Sequence, residues 1–273
     1  NTVNIKKQQL EKGYFQSGSG PEKVLIMGSC RVAPYANYLE QWNEQNGNRF
    51  TIFSLDPFNL HWNKDDERVD YDQALLSQEV NQDLLDMLAS VDIFISEYYA
   101  NAGMFNIDRN SQKKIYNFGL KPKIEIFIPN FNDLFILAGD IVSFDTRIRK
   151  MATQDFNVTG KLSEQTVKEI NDTRDHNLDK FYSICKKTSF PDFAENFSDL
   201  HKIIRQFHNS NHVSRRFTLP IFAFIMDKIN ANYTQGYWDS IFHYDMFDSH
   251  YTKITEYDNV DWDEERVPLQ TFL

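Results

Sequence analysis

Between residues 23 and 128 the chain alternates short apolar runs with stretches of helical periodicity. Lys23-Val24-Leu25-Ile26-Met27-Gly28 places consecutive apolar residues before a glycine, the composition of a strand buried on both faces. Val32, Tyr35, Ala36, Tyr38, Leu39 and Trp42 then recur at near-helical spacing, so the segment reads as strand, tight turn, helix. The pattern continues with a strand over 50–54, a helix over 71–90 that puts Leu75, Leu76, Val80, Leu84, Leu85 and Leu88 on one face, a strand over 91–96 and a strand over 123–128. Strands alternating with helices predict an α/β fold: a parallel sheet covered by helices.

The second half is patterned differently. Residues 163–187 predict a long polar helix with Val167, Ile170, Leu178, Phe181 and Ile184 inward, and 191–206 and 215–232 predict two more. Residues 1–22 read as a tail ending in the turn Ser17-Gly18-Ser19-Gly20-Pro21. The last 40 residues are aromatic and acidic, without an assignable period. The expectation is one α/β domain over 23–273 with a largely helical second half, its helical subdomain covering about 150–235.

Composition narrows the function. The formal charge of −10 argues against a general nucleic-acid binder, which carries a basic face. Two cysteines, Cys30 and Cys185, make no disulfide framework, and no CxxC or HExxH spacing suggests a metal centre. No apolar run reaches the roughly 20 residues of a membrane span, and the first 20 residues hold no signal-peptide core. A cytoplasmic protein acting on a small molecule is therefore expected, and a homo-oligomer is compatible with the sequence.

Ligands of open parallel sheets bind beyond the carboxyl ends of the strands. Three segments are expected there: Gly28-Ser29-Cys30-Arg31, Ser96-Glu97-Tyr98-Tyr99 and Pro129-Asn130. Cys30 would sit at a helix N-terminus, whose partial positive charge, with Arg31 beside it, stabilises a thiolate. Gly28 permits close backbone approach, and amides opening the helix can hold an oxyanion or phosphate. The alternative is a small buried cysteine at a strand end, and inside its helical pattern Cys185 is read that way. For a base, His212 lies in a polar break before an amphipathic helix, with His250 and His61 as rivals. Arg215 and Arg216 follow and can grip phosphates or form a solvated face, while Asn130 offers an amide donor or only a turn.

These motifs, in this order, resemble the capsular-polysaccharide biosynthesis family typified by WcbI. Its members carry Gly-Asn-Cys-Gln, Pro-Asn and Asn-His-Pro-Thr segments, which correspond to Gly28-Ser29-Cys30-Arg31, Pro129-Asn130 and Asn211-His212-Val213-Ser214. The similarity spans most of 23–232, with Ser29, Arg31 and Val213 departing from the pattern. The resemblance implies an SGNH/flavodoxin-like core and an acyltransferase that uses coenzyme A or acyl-coenzyme A and a sugar or polysaccharide-type acceptor. It implies Cys30 and His212 as the reactive pair, Asn130 near the oxyanion, and Gly28, Ser29, Arg31, Asn211, Arg215 and Arg216 toward the cofactor. Two alternatives remain: an SGNH-like esterase using Asp248 and His250, and a non-catalytic binding protein on the same fold.

Overall fold

The computed structural model describes residues 14–55, 62–63, 68–69, 82–98, 115–116, 118–129, 134–209, 212–242 and 251–273. In chain order these hold β1 (Phe15–Ser17), β2 (Glu22–Met27), a 3-10 turn (Cys30–Val32), α1 (Ala33–Gln45), β3 (Phe50–Leu55), the short β4 (Trp62–Asn63) and β5 (Arg68–Val69), α2 (Gln82–Ser90), β6 (Ile93–Glu97) and β7 (Ile124–Ile128). Then come α3 (Ala138–Phe144), α4 (Thr146–Thr159), α5 (Glu164–Cys185), α6 (Phe193–Ile203), α7 (Arg215–Lys228), α8 (Gln235–Phe242) and a last 3-10 turn (Leu269–Phe272). The chain packs as two compact units, Asn1–Pro129 with Ile221–Ile241, and Asn130–Pro220 with Phe242–Leu273. Among the described residues no helix is long and apolar enough to cross a membrane.

The first unit is built on a five-stranded sheet of order β1-β3-β2-β6-β7, parallel except for β1. Central β2 pairs on both sides, Val24 opposite Ile52 and Ile93, which is why Val24 to Met27 are all apolar and all buried. Side chains alternate between faces. Leu25, Met27, Phe53, Leu55 and Phe94 pack on Leu84, Met87 and Leu88 of α2. Helix α1 buries Tyr35, Tyr38, Leu39 and Trp42, and its start is helped by Pro34 in the first turn. Its partners come from the late segment of this unit: the Tyr38 ring lies 5.1 Å from Phe222, Tyr237 donates to the Tyr38 carbonyl at 2.7 Å, and Trp42 Nε1 donates to the Asn232 carbonyl at 2.8 Å.

The α/β expectation stands: four strands fall where the pattern put them, and the sheet is mainly parallel. Residues 71–81 of the helix expected over 71–90 lie outside the described residues; 82–90 are helical. Phe15–Ser17, inside the segment read as a tail, pairs with Ile52, Phe53 and Ser54 as an antiparallel edge strand.

The second unit is helical. Ala138, Ile141 and Val142 of α3, Ile148 and Ala152 of α4, Ile170 of α5 and Leu269 share one core with Leu162. Helix α4 opens on Asp145, whose carboxylate accepts from Ile148 N at 2.9 Å, and closes on Gly160 at φ 72°. Ser163 caps α5, its hydroxyl accepting from Thr166 N at 3.2 Å. Helical structure thus begins at Ala138, ahead of the expected 150. The C-terminal stretch holds little regular structure before its last 3-10 turn, and side-chain bonds tie it down alongside backbone ones. Asp258 accepts from Ala138 N at 2.9 Å, Thr255 N at 2.8 Å and Arg174 Nη2 at 3.3 Å, and Trp262 Nε1 donates to the His201 carbonyl at 2.7 Å.

Candidate functional site

From β2 the chain crosses through α1 to β3 on one side, and later enters β6 on the other side of β2. The carboxyl ends of β2 and β6 are therefore the topological switch point, where open α/β sheets leave a crevice for ligands. Gly28-Ser29-Cys30-Arg31 leaves the end of β2, and Glu97 is the last residue of β6.

Glu97 ties the two ends together. It is 1% exposed, and its Oε1 accepts from Ser29 N at 3.2 Å and Ser29 Oγ at 2.8 Å, while Oε2 faces Arg31 Nη2 at 3.3 Å. A carboxylate buried this deeply is costly unless a cation and hydrogen bonds satisfy it, and here both do. Ser29 also caps the 3-10 turn, its Oγ accepting from Arg31 N at 3.4 Å and its carbonyl accepting from Val32 N at 3.1 Å. Arg31, expected to meet phosphates, is instead buried, with its guanidinium toward Glu97. Of the amides around Cys30, those of Ser29 and Arg31 donate to Glu97 and Ser29 Oγ.

Gly28 is required by space. A Cβ there would lie 2.7 and 2.8 Å from the Val32 methyls and 3.0 Å from Glu97 Cγ. Val32 is stiff at χ1 and Glu97 is clamped, so neither can give way.

Cys30 opens the 3-10 turn that runs into α1, and it is exposed. It lines a cleft of about 390 Å³ with Gly28, Ser29, Ala33, Asn37 and Glu40. Cys185 is the opposite case: fully buried, with its thiol pushed up to about 12 by desolvation. The end of β7 lies beside that of β6, since Glu97 pairs with Ile128 and Tyr98 N donates to the Ile128 carbonyl at 2.9 Å. Three strand ends thus meet at one rim of this unit.

The second unit holds His212. Its backbone N–H donates to Asn209 Oδ1 at 3.0 Å and its Nδ1 lies 3.1 Å from the same oxygen. An amide oxygen only accepts, so Nδ1 carries the proton in the neutral ring and Nε2 has the lone pair of a base. Arg215 at the start of α7 lies over the Phe242 ring at 5.2 Å, and Arg216 is exposed. Asn130, Asn211, Tyr99, His61, Asp248 and His250 lie outside the described residues.

Sequence reasoning placed Glu97 at the rim but did not assign it a role. The signal was there: an acid just beyond the apolar run Ile93-Phe94-Ile95. It also passed over two perturbed groups of the second unit. Burial raises the Asp140 carboxyl to about 6, against a lowering hydrogen bond from Thr252, and burial lowers His201 to about 4, helped by Arg174 and Arg205.

No family model and no curated protein matches the sequence. Two solved chains match the fold. One is WcbI, described as a polysaccharide biosynthesis enzyme, in a native form without a disulfide bond between coenzyme A and one of its cysteines. The TM-score is 0.51 at 12% identity, over 90% of this chain and 81% of that one, a likeness of fold.

Proposed function

We propose that the chain is an acyltransferase that takes its acyl group from coenzyme A and gives it to a saccharide-type hydroxyl, with Cys30 at the reacting centre. The observation that carries this reading is an exposed thiol in the 3-10 turn that leads into α1, in a cleft at the switch point of a parallel sheet. Two things support it: the ordered motifs, and the likeness to a structure described as a form without a disulfide bond between coenzyme A and a cysteine.

The residues fit a thioester at its sulfur end. Ala33 and Ala36 keep the cleft beside Cys30 open, and among the described lining residues no Lys or Arg stands ready for phosphates. When bound, acyl-coenzyme A supplies an activated acyl group. The Cys30 thiolate attacks its carbonyl carbon, a C–S bond to Cys30 forms, and the original C–S bond breaks as the departing thiolate takes up a proton. The acceptor hydroxyl then displaces Cys30 and loses its proton to a base, the role that motif order gives to His212. Glu97 and Arg31 position the Cys30 turn without touching the reactants.

The test is acyl-coenzyme A consumption with a panel of sugar acceptors, alongside calorimetric titration of coenzyme A. Wild-type protein should bind and turn over, and Cys30→Ala should lose turnover. Absence of binding, or turnover undiminished in Cys30→Ala, would overturn the proposal.

A further inference from the structure

The cleft beside Cys30 is made by one stripe of α1. Ala33, Ala36, Asn37 and Glu40 follow the i, i+3, i+4, i+7 spacing of a single helix face, and all four line it. The two alanines leave the floor low, so the space runs along the helix from the thiol toward Glu40. Phe15, Ser54 and Leu55 also line it.

Its electrostatics are one-sided. Among the described lining residues Glu40 is the one with a formal charge. It is half-buried, and among the described residues no cation pairs with it and no donor bonds it. Burial pushes its carboxyl above the ordinary range, and Glu44 one turn on adds to the effect. A carboxylate drawn partly out of water without compensation is a group that a ligand's donor can satisfy.

We infer that this cleft takes a ligand arm that is neutral or cationic, ends in a hydroxyl or ammonium donor at Glu40, and places its electrophilic end at Cys30, while anionic arms are disfavoured. This rests on the reading of Cys30 as the reacting thiol. It adds which part of a substrate lies here: the uncharged or amine-bearing portion, with phosphates held elsewhere.

Charge-matched thiosulfonate probes test it without knowledge of the acceptor. The Cys30 thiolate attacks the sulfenyl sulfur of the reagent, the reagent's S–S bond breaks, and methanesulfinate leaves. Ethylammonium, hydroxyethyl and ethylsulfonate versions differ at the far end of the arm. Rates at Cys30, followed by mass spectrometry, are divided by those of a small free thiol with the same reagents. Cys30→Ala identifies the site, and buried Cys185 stays unlabelled. Glu40 lies ten residues on from Cys30, roughly 12–16 Å given the helical rise and the N-terminal tilt of side chains. At that separation a unit charge in a partly wet cleft changes the cation-to-anion ratio about three- to tenfold at low ionic strength.

The ratio should fall by that factor in Glu40→Gln and hold in Asp172→Asn, which removes the same net charge from the exposed surface of α5. It should also collapse in wild-type protein at molar salt, a reading that does not depend on the variant folding. Equal normalised rates for the two charged reagents in wild type, or an unchanged ratio in folded Glu40→Gln, overturn the inference and leave the reactive thiol standing. Failure of all three reagents at Cys30 overturns the functional reading beneath it.

Discussion

Replacing Glu97 with alanine would remove one end of a buried ion pair and leave the other in place. The Arg31 and Glu97 side chains are 9% and 1% exposed, so the cation left behind has little water to turn to. Removing one partner of such a pair typically costs about 3–5 kcal/mol. For a cooperative unit of about 150 residues each kcal/mol moves Tm by about 2–4 °C, which places Glu97→Ala roughly 6–20 °C below wild type. Replacing both residues with apolar ones of similar size, Arg31→Met with Glu97→Leu, removes both charges and should recover most of that loss. Calorimetric melting of Arg31→Met, Glu97→Leu and the double variant closes the cycle, with a coupling of about 2 kcal/mol or more expected for groups in contact. Because Ser29 hangs on the same carboxylate, iodoacetamide labelling of Cys30 should change in rate in Glu97→Ala even well below its Tm. A Tm shift under about 2 °C, or single effects that simply add, would refute the role assigned to the pair.

Gly28→Ala should lower Tm by the equivalent of about 1–3 kcal/mol, since its methyl group would meet Val32 and Glu97 at 2.7–3.0 Å; a variant as stable as wild type would refute the packing. His212→Ala should reduce acyl transfer by about 10²–10⁴-fold while leaving coenzyme A affinity in calorimetry unchanged, and full turnover would remove it from the mechanism. In the second unit, His201 has its pKa lowered to about 4 on folding, so its contribution to stability is full above about 6.5 and is lost as pH falls toward 4. Asp140 is raised to about 6, so its contribution is full below about 4 and is lost as pH rises through 6. Each is worth about 3 kcal/mol, and they oppose one another over the same window. Asp140→Asn should therefore expose a loss of stability between pH 6.5 and 4 in denaturant titrations, and a profile unchanged from wild type would contradict the burial of both groups.

The parallel core was legible because its strands are buried on both faces. Val24 to Met27 and Ile93 to Ile95 leave no polar register to confuse them, and the sheet order then brings distant strand ends together. Cys30 could be placed at a strand-to-helix turn for the same reason. Helix α4 was missed because Ile148 and Ala152 are its two fully buried core residues, with Phe156 partly buried against them, a sparse pattern, although Asp145 and Gly160 carry its caps. The C-terminal stretch escaped because its order comes from Asp258, Arg266 and Trp262 bonding to backbone, which has no periodicity. Arg31 was read toward the cofactor because sequence shows a charge but not its partner. Glu97 lies 66 residues further on, and only the pairing of β2 with β6 brings it there.

A crystal structure of the protein soaked with coenzyme A tests the central claim most directly. Density for the thiol end of the cofactor is expected in the cleft, with its sulfur in contact with or bonded to Cys30. Coenzyme A bound away from that thiol, or an empty cleft at saturating ligand, would contradict it.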